Sequence, residues 1–220
     1  MIRSATIVIL VTAIGAAPMV LAGSNGQILG SAATPVGGSE YEPESLEFSF
    51  GVMSCSVSKL GASVCRSEGS ALQFQLPLDD GDEINRLYTV GFDGDLLLIY
   101  EFGNVEARAG SVVRLDSRNG AVMWQAWIPG FNVGVPLLTN GSLFVTAIGF
   151  VGRIKCGPGR YSWQHDNLYT SYHAFNSFGP PRVDGKDVIF PEVVPSFQKR
   201  APKAVRVDIA NGAIRIQDGV

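Results

Sequence analysis

Two histidines, His165 and His173, stand eight residues apart in WQHDNLYTSYHAF, with Asp166 directly after the first. A histidine beside a carboxylate can act as an acid–base pair, and histidines with a further ligand can hold a metal. The sequence supplies neither a third ligand nor a defined spacing here, so no metal site and no catalytic residue is assigned. The other reading is a polar, aromatic loop between two repeats. The same segment gathers Trp163, Tyr169, Tyr172 and Phe175. Rings with polar tips are the side chains from which recognition surfaces are built. The candidate binding residues are therefore Trp163, His165, Tyr169, Tyr172 and His173.

Elsewhere the chemistry is sparser. Asp79, Asp80, Asp82 and Glu83 surround Gly81, oxygen ligands of the kind calcium takes, but their spacing is not that of a calcium-binding helix–loop–helix. They read as a solvated acidic turn. There is no nucleophile elbow, no phosphate-binding loop and no paired-histidine zinc helix, and no cofactor is expected. Of the three cysteines, Cys55 and Cys65 lie ten apart in SCSVSKLGASVC, where two antiparallel strands reversing near Lys59-Leu60-Gly61 would bring them together. A Cys55–Cys65 disulfide is expected, with Cys156 left over in a turn.

These residues must be positioned by short extended elements. No window carries a sustained 3.6-residue apolar period, and the 26 glycines suit a fold full of reversals. Hydrophobic residues make up 46% and charged residues 17%, which excludes a disordered chain. A net charge of −3 offers no basic field for a phosphate backbone, so nucleic acid is not an expected partner. The N-terminus has one charge, Arg3, then an uncharged apolar run to Ala22, closing on Val20-Leu21-Ala22. That order is the one of a secretory signal over 1–22. An uncleaved membrane anchor is the alternative, but Pro18 and the small residues before Gly23 favour cleavage, which leaves no membrane span. The protein is then expected to be secreted or periplasmic, where disulfides persist. Residues 23–45 read as a flexible Gly/Ser/Pro-rich arm.

From 46 to 220 the chain repeats itself. Glycine turns followed by apolar strands recur at Gly94, Gly141 and Gly185. Each is followed by an Arg-led hairpin: RLDSRNGAVMWQ from Arg114, RIKCGPGRYSWQ from Arg153 and RVDIANGAIRIQ from Arg206. In the first and third hairpins an aspartate can bond turn amides through its side chain, and Asn-Gly can take the positive φ of a tight reversal. Trp124 and Trp163 close two copies as core anchors, with Ile216 in that place in the third. Three copies near 90–125, 137–164 and 181–217 follow, each of about four strands. A fainter copy runs over Ala62 to Leu78.

The hairpin pattern resembles the blade repeat of PQQ-like (quinoprotein-type) β-propellers. The match rests on Leu115, Asp116, Gly120 and Trp124, on Gly159 and Trp163, and on Val207, Asp208 and Gly212, and covers about Tyr88 to Gln217. The resemblance implies an all-β fold of three to four antiparallel propeller-like blades, a partial or small propeller. Quinone enzymes of that family carry an adjacent cysteine pair, which this sequence lacks, so the cofactor is not implied. The expected function is a non-catalytic, exported binding or scaffold domain that contacts a protein or glycan partner. Two alternatives stay open: a hydrolase or lyase with its site near His165, Asp166 and His173, and a partial propeller that functions only as a homo-oligomer.

Overall fold

The computed structural model describes residues 21–23, 27–32, 45–104, 107–168, 177–194, 197 and 199–218. Among them every regular element is a strand, and the strand pairing is antiparallel. The first sheet is β3 (Ser45–Phe50), β4 (Met53–Ser58), β5 (Ala62–Ser67) and β6 (Ser70–Gln75), in chain order. The second is β7 (Glu83–Phe92), β8 (Asp95–Gly103), β9 (Arg108–Leu115) and β10 (Val122–Ile128); a hairpin of β1 (Leu21–Gly23) and β2 (Gln27–Ala32) extends it beyond β7. The third is β11 (Leu137–Thr139), β12 (Ser142–Ala147), β13 (Phe150–Lys155) and β14 (Arg160–His165). In the fourth, β15 (Ser177–Phe178) and β16 (Arg182–Asp184) both pair with β17 (Asp187–Val193), followed by β18 (Lys203–Asp208) and β19 (Ile214–Asp218). This is an all-β chain of propeller-like blades.

The faint sequence copy at 62–78 is half of a complete sheet, whose other half is β3 and β4. Its hairpin escaped the repeat pattern because only Glu68 and Gly69 separate the paired residues Ser67 and Ser70. The longer Asp-x-x-Asn-Gly reversal is absent there.

Turn chemistry explains the reversals. Asp93-Gly94 and Asn140-Gly141 each have positive φ at both residues, the two-residue turn whose twist matches the flanking strands. The Arg-led hairpins solve the problem differently. Gly120, Gly159 and Gly212 each donate an amide hydrogen bond four residues back, to Asp116, Lys155 and Asp208, at 2.8, 2.9 and 2.9 Å. Only the glycine takes positive φ. Asn119 and Asn211 instead use Oδ1 to accept the amides of Ala121 and Ala213, at 2.9 and 2.8 Å. Asp116 Oδ1 accepts the Arg118 amide at 2.9 Å, and Asp208 Oδ1 those of Ala210 and Asn211 at 3.0 and 3.2 Å.

The chain divides into two compact units. One holds Met1–Ala107 and Val112–Gln125, the other Arg108–Ser111 and Ala126–Val220. In the first unit, β8 is buried from Leu96 to Gly103, so both of its faces are covered. In β4, by contrast, Cys55 and Val57 are buried while Ser54, Ser56 and Ser58 are not, the alternation of a sheet with one wet face. The core of the second unit joins the third and fourth sheets: Phe144, Val151 and Trp163 pack with Val188, Phe190, Val205 and Val207.

Candidate functional site

The site begins at the end of β14. Trp163 is buried, its ring centroid 5.9 Å from Phe144 and 6.5 Å from Phe190, edge-on to the latter. It is a core anchor, and only its indole N–H looks outward, donating to the Ile209 carbonyl at 3.2 Å. His165 is half-buried, 5.8 Å from the Trp163 ring. Its Nε2 lies 2.7 Å from the Gly212 carbonyl. A carbonyl can only accept, so Nε2 carries the proton. Asp166 and Asn167 are exposed, and Asn167 Nδ2 donates to Asp166 Oδ1 at 3.3 Å. Tyr169, Tyr172 and His173 lie outside the described residues.

Arg153, which opens the second hairpin of the repeat, joins this arrangement. Its Nε donates to Ser142 Oγ at 3.0 Å, and its Nη1 reaches the same Ile209 carbonyl that Trp163 holds. Arg153, Trp163 and His165 thus grip one reversal, the Asp208–Gly212 turn of the next sheet. Gly212 explains why the grip is tight: a Cβ there would stand 2.8 Å from the Trp163 Cβ and Cγ. In the first unit the same packing recurs with other residues. A Cβ on Gly120 would meet Phe74 Cβ at 3.1 Å and Leu72 Cδ1 at 3.3 Å. The glycine of one sheet's reversal therefore sits on the last strand of the sheet before it.

Two departures from the sequence alignment have one cause. In β13–β14 the register slips between Arg153 and Ile154, so Trp163 stands opposite Arg153 with Ser162 as the extra residue. In β18–β19 there is no slip: Arg215 stands opposite Arg206, and Ile216 opposite Val205. Ile216 matches Trp163 in spacing from the turn but not in space, and it is 58% exposed. A one-residue shift moves a side chain to the other face.

The arginines that open each repeat are bound to the strand before them. Arg114 Nη2 and Nε hold Asp95 Oδ2 at 2.6 and 2.8 Å, with the guanidinium 4.9 Å over the Phe92 ring. Arg206 holds Asp187 at 3.2–3.3 Å and Asp184 at 2.7 Å. In the first sheet the position opposite Cys55 is Cys65, as Arg153 is opposite Phe144 and Arg206 opposite Ile189. Cys55 and Cys65 form a disulfide there, so the cystine occupies the arginine's register place; Cys156 is buried and takes no part in it.

Ionisation follows these contacts. Hydrogen bonds from the Arg118 side chain, then from its amide, hold the Asp116 carboxyl at about 2. The amide of Asn211, with help from Ala210 and Lys186, lowers Asp208. Burial raises the Tyr161 hydroxyl, which donates to the Trp127 carbonyl at 2.9 Å. Among the described residues no group of three or more His, Cys, Asp or Glu side chains could hold a metal ion, and no helix is long and apolar enough to cross a membrane.

No protein-family model matches the chain, and no curated protein does. Solved structures similar to it include a quinohemoprotein alcohol dehydrogenase from Comamonas testosteroni, at 18% identity and TM-score 0.46, with 60% of this chain and 20% of that one covered. The computationally designed Ika8 protein gives 14% identity and TM-score 0.49, over 96% of this chain and 65% of that one. Apo AztD from Citrobacter koseri gives 10% and 0.47, over 90% and 58%. The chain thus spans a fifth of the length of the dehydrogenase and less than two thirds of the other two.

Proposed function

We propose that this chain is an exported, non-catalytic binding or scaffold module that contacts a protein or glycan partner through the loops at the ends of its sheets. The observation that carries this reading is how the polar side chains of the sheets are engaged. Arg114 with Asp95, Arg153 with Ser142 and Ile209, and His165 with Gly212 fasten strand to strand or sheet to sheet, and Arg200, ahead of β18, is held by Glu192 of β17. Large apolar groups meanwhile face water outside the core, Trp127 at 52% and Phe197 at 80% exposure. Such a distribution suits recognition better than turnover.

The segment that follows β14 in the sequence is the proposed contact, with His165 at its start and Tyr169, Tyr172 and His173 among its residues. Export is supported by the apolar N-terminus and by the disulfide, which an oxidising compartment keeps. A glycan array and cross-linking to cell-surface proteins, run with the native chain and with Tyr169→Ala/Tyr172→Ala, test the reading. The variant is expected to lose binding and keep its unfolding midpoint. A hydrolytic or eliminating activity that disappears in His165→Ala and His173→Ala variants with intact folding would replace this reading with the enzymatic one.

A further inference from the structure

We propose that Asn140 is a site of spontaneous covalent modification, where the Gly141 amide nitrogen attacks the Asn140 side-chain carbonyl and the residue becomes aspartate and isoaspartate. The nitrogen bonds to Cγ as the Cγ–Nδ2 bond breaks. Nδ2 takes up the amide proton and leaves as ammonia, so that a cyclic succinimide remains. Water then opens the ring at either carbonyl, which gives the two acids. This stands apart from the partner-binding reading, because it concerns the turn between β11 and β12 and not the segment after β14.

Three Asn-Gly steps lie among the described residues, at 119–120, 140–141 and 211–212; a fourth, Asn25-Gly26, lies outside them. A glycine has no side chain to hinder the attack, so the sequence alone ranks these steps alike. The reaction needs the glycine nitrogen free to swing onto Cγ and the side-chain amide free to receive it. At two of the three steps both groups are engaged. The Gly120 and Gly212 amides donate to the carbonyls of Asp116 and Asp208 at 2.8 and 2.9 Å. Asn119 and Asn211 Oδ1 accept the amides of Ala121 and Ala213 at 2.9 and 2.8 Å. Packing closes both further: Gly120 lies on Leu72 and Phe74, Gly212 lies on Trp163, and the Gly212 carbonyl is held by His165.

The Asn140-Gly141 turn lacks each of these restraints. Both residues are exposed, whereas Gly120 and Gly212 are buried. The Gly141 nitrogen donates no hydrogen bond among the described residues, and the Asn140 side chain makes none there either. The Cys156 amide bonds the Gly141 carbonyl at 3.0 Å, but that carbonyl belongs to the next peptide group and leaves the attacking nitrogen untouched. Opening two hydrogen bonds at each locked step slows its attack at least roughly tenfold relative to Asn140. The product matters locally. Isoaspartate carries the backbone through the side-chain carbon, one atom more than the two-residue turn that pairs Thr139 with Ser142 accepts. Ser142 Oγ in turn receives Arg153 Nε, so the change begins beside the clasp on the Asp208–Gly212 reversal.

Incubation of the native, folded chain at mildly alkaline pH, followed by peptide mapping, tests this. The Asn140 peptide is expected to gain the mass that separates a carboxyl from an amide and to split into aspartyl and isoaspartyl forms. It should convert at least roughly tenfold faster than the peptides that hold Asn119 and Asn211. In denaturant the three should convert at similar rates, which assigns the difference to the fold. Asn140→Gln, whose longer side chain has to close a larger ring, should leave that peptide unchanged over the same period. An Asn140 peptide that stays intact, equal rates at the three steps in the folded chain, or a lead of Asn140 that persists in denaturant overturns the proposal. So does a sugar mass on Asn140: Asn140-Gly141-Ser142 is also the acceptor sequence for an N-linked glycan, and the side-chain nitrogen would then be taken.

Discussion

Removing the Cys55–Cys65 cross-link, by reduction or by a Cys55→Ala/Cys65→Ala substitution, should cost the chain about 3 kcal/mol. The two cysteines are ten residues apart and face each other directly across β4 and β5. Closing a loop of about ten residues removes about 9 cal/mol/K from the unfolded chain, or about 3 kcal/mol at 25 °C. For a domain near this size that corresponds to a fall of about 6–12 °C in the thermal midpoint. Thiol titration under denaturing conditions comes first: one reactive thiol, Cys156, is expected before reduction and three after. Urea unfolding of the oxidised, reduced and doubly substituted chains then gives the free energy. Agreement between the two modified chains would show that the effect belongs to the cross-link, not to the packing of alanine. Three thiols in the untreated chain, or a loss below about 0.5 kcal/mol, would refute the reasoning, because surface substitutions alone reach that size.

Three further outcomes follow from the same structure. Gly212→Ala should cost more than Gly69→Ala: both carry the left-handed backbone penalty of about 1–2 kcal/mol, but only at Gly212 does the new methyl strike Trp163, adding about 1–3 kcal/mol. Equal losses in urea unfolding would dismiss the docking role of that glycine. Thr146 Oγ1 is buried without a hydrogen-bond partner among the described residues, so Thr146→Val should leave the unfolding midpoint unchanged or raise it; a clear fall would reveal a partner for the hydroxyl. Because Asp116 is held at about 2 in the folded chain, against about 3.9 unfolded, its contribution is complete above roughly pH 4. It is lost as pH falls towards 2. Arg118→Ala should therefore flatten the acid side of a stability–pH curve, and an unchanged curve would count against the pair.

What could be read from the sequence was what turns dictate locally. Asp93-Gly94 and Asn140-Gly141 announce two-residue reversals, and Asp116 and Asp208 announce side-chain bonds to turn amides; all are decided within a few residues. The Cys55–Cys65 pairing was legible for the same reason. Strand register was not. Ser162 is one extra residue whose effect, turning Trp163 towards the fourth sheet, depends on the facing strand. Nothing in RYSWQ differs in kind from AIRIQ, so Ile216 looked equivalent. Arg153 was visible as a repeat mark but not as a clasp, because its carbonyl partner, Ile209, lies 56 residues further on. Of the candidate site, Trp163 and His165 come together at the end of β14, each bonded to a reversal that no spacing rule could have paired with it. The polar back of the first sheet, in contrast, is written in SCSVS, where serines alternate with buried residues.

The cystine in the first sheet stands where later sheets place a guanidinium, and that changes what each needs in order to form. An arginine arrives from the ribosome ready to work. A sulfur–sulfur bond waits for an electron acceptor. The opening sheet is therefore completed by the surroundings into which the chain is delivered, whereas its successors carry their fastenings with them. In a thiol-rich cytosol the first sheet would be left with neither kind of fastening.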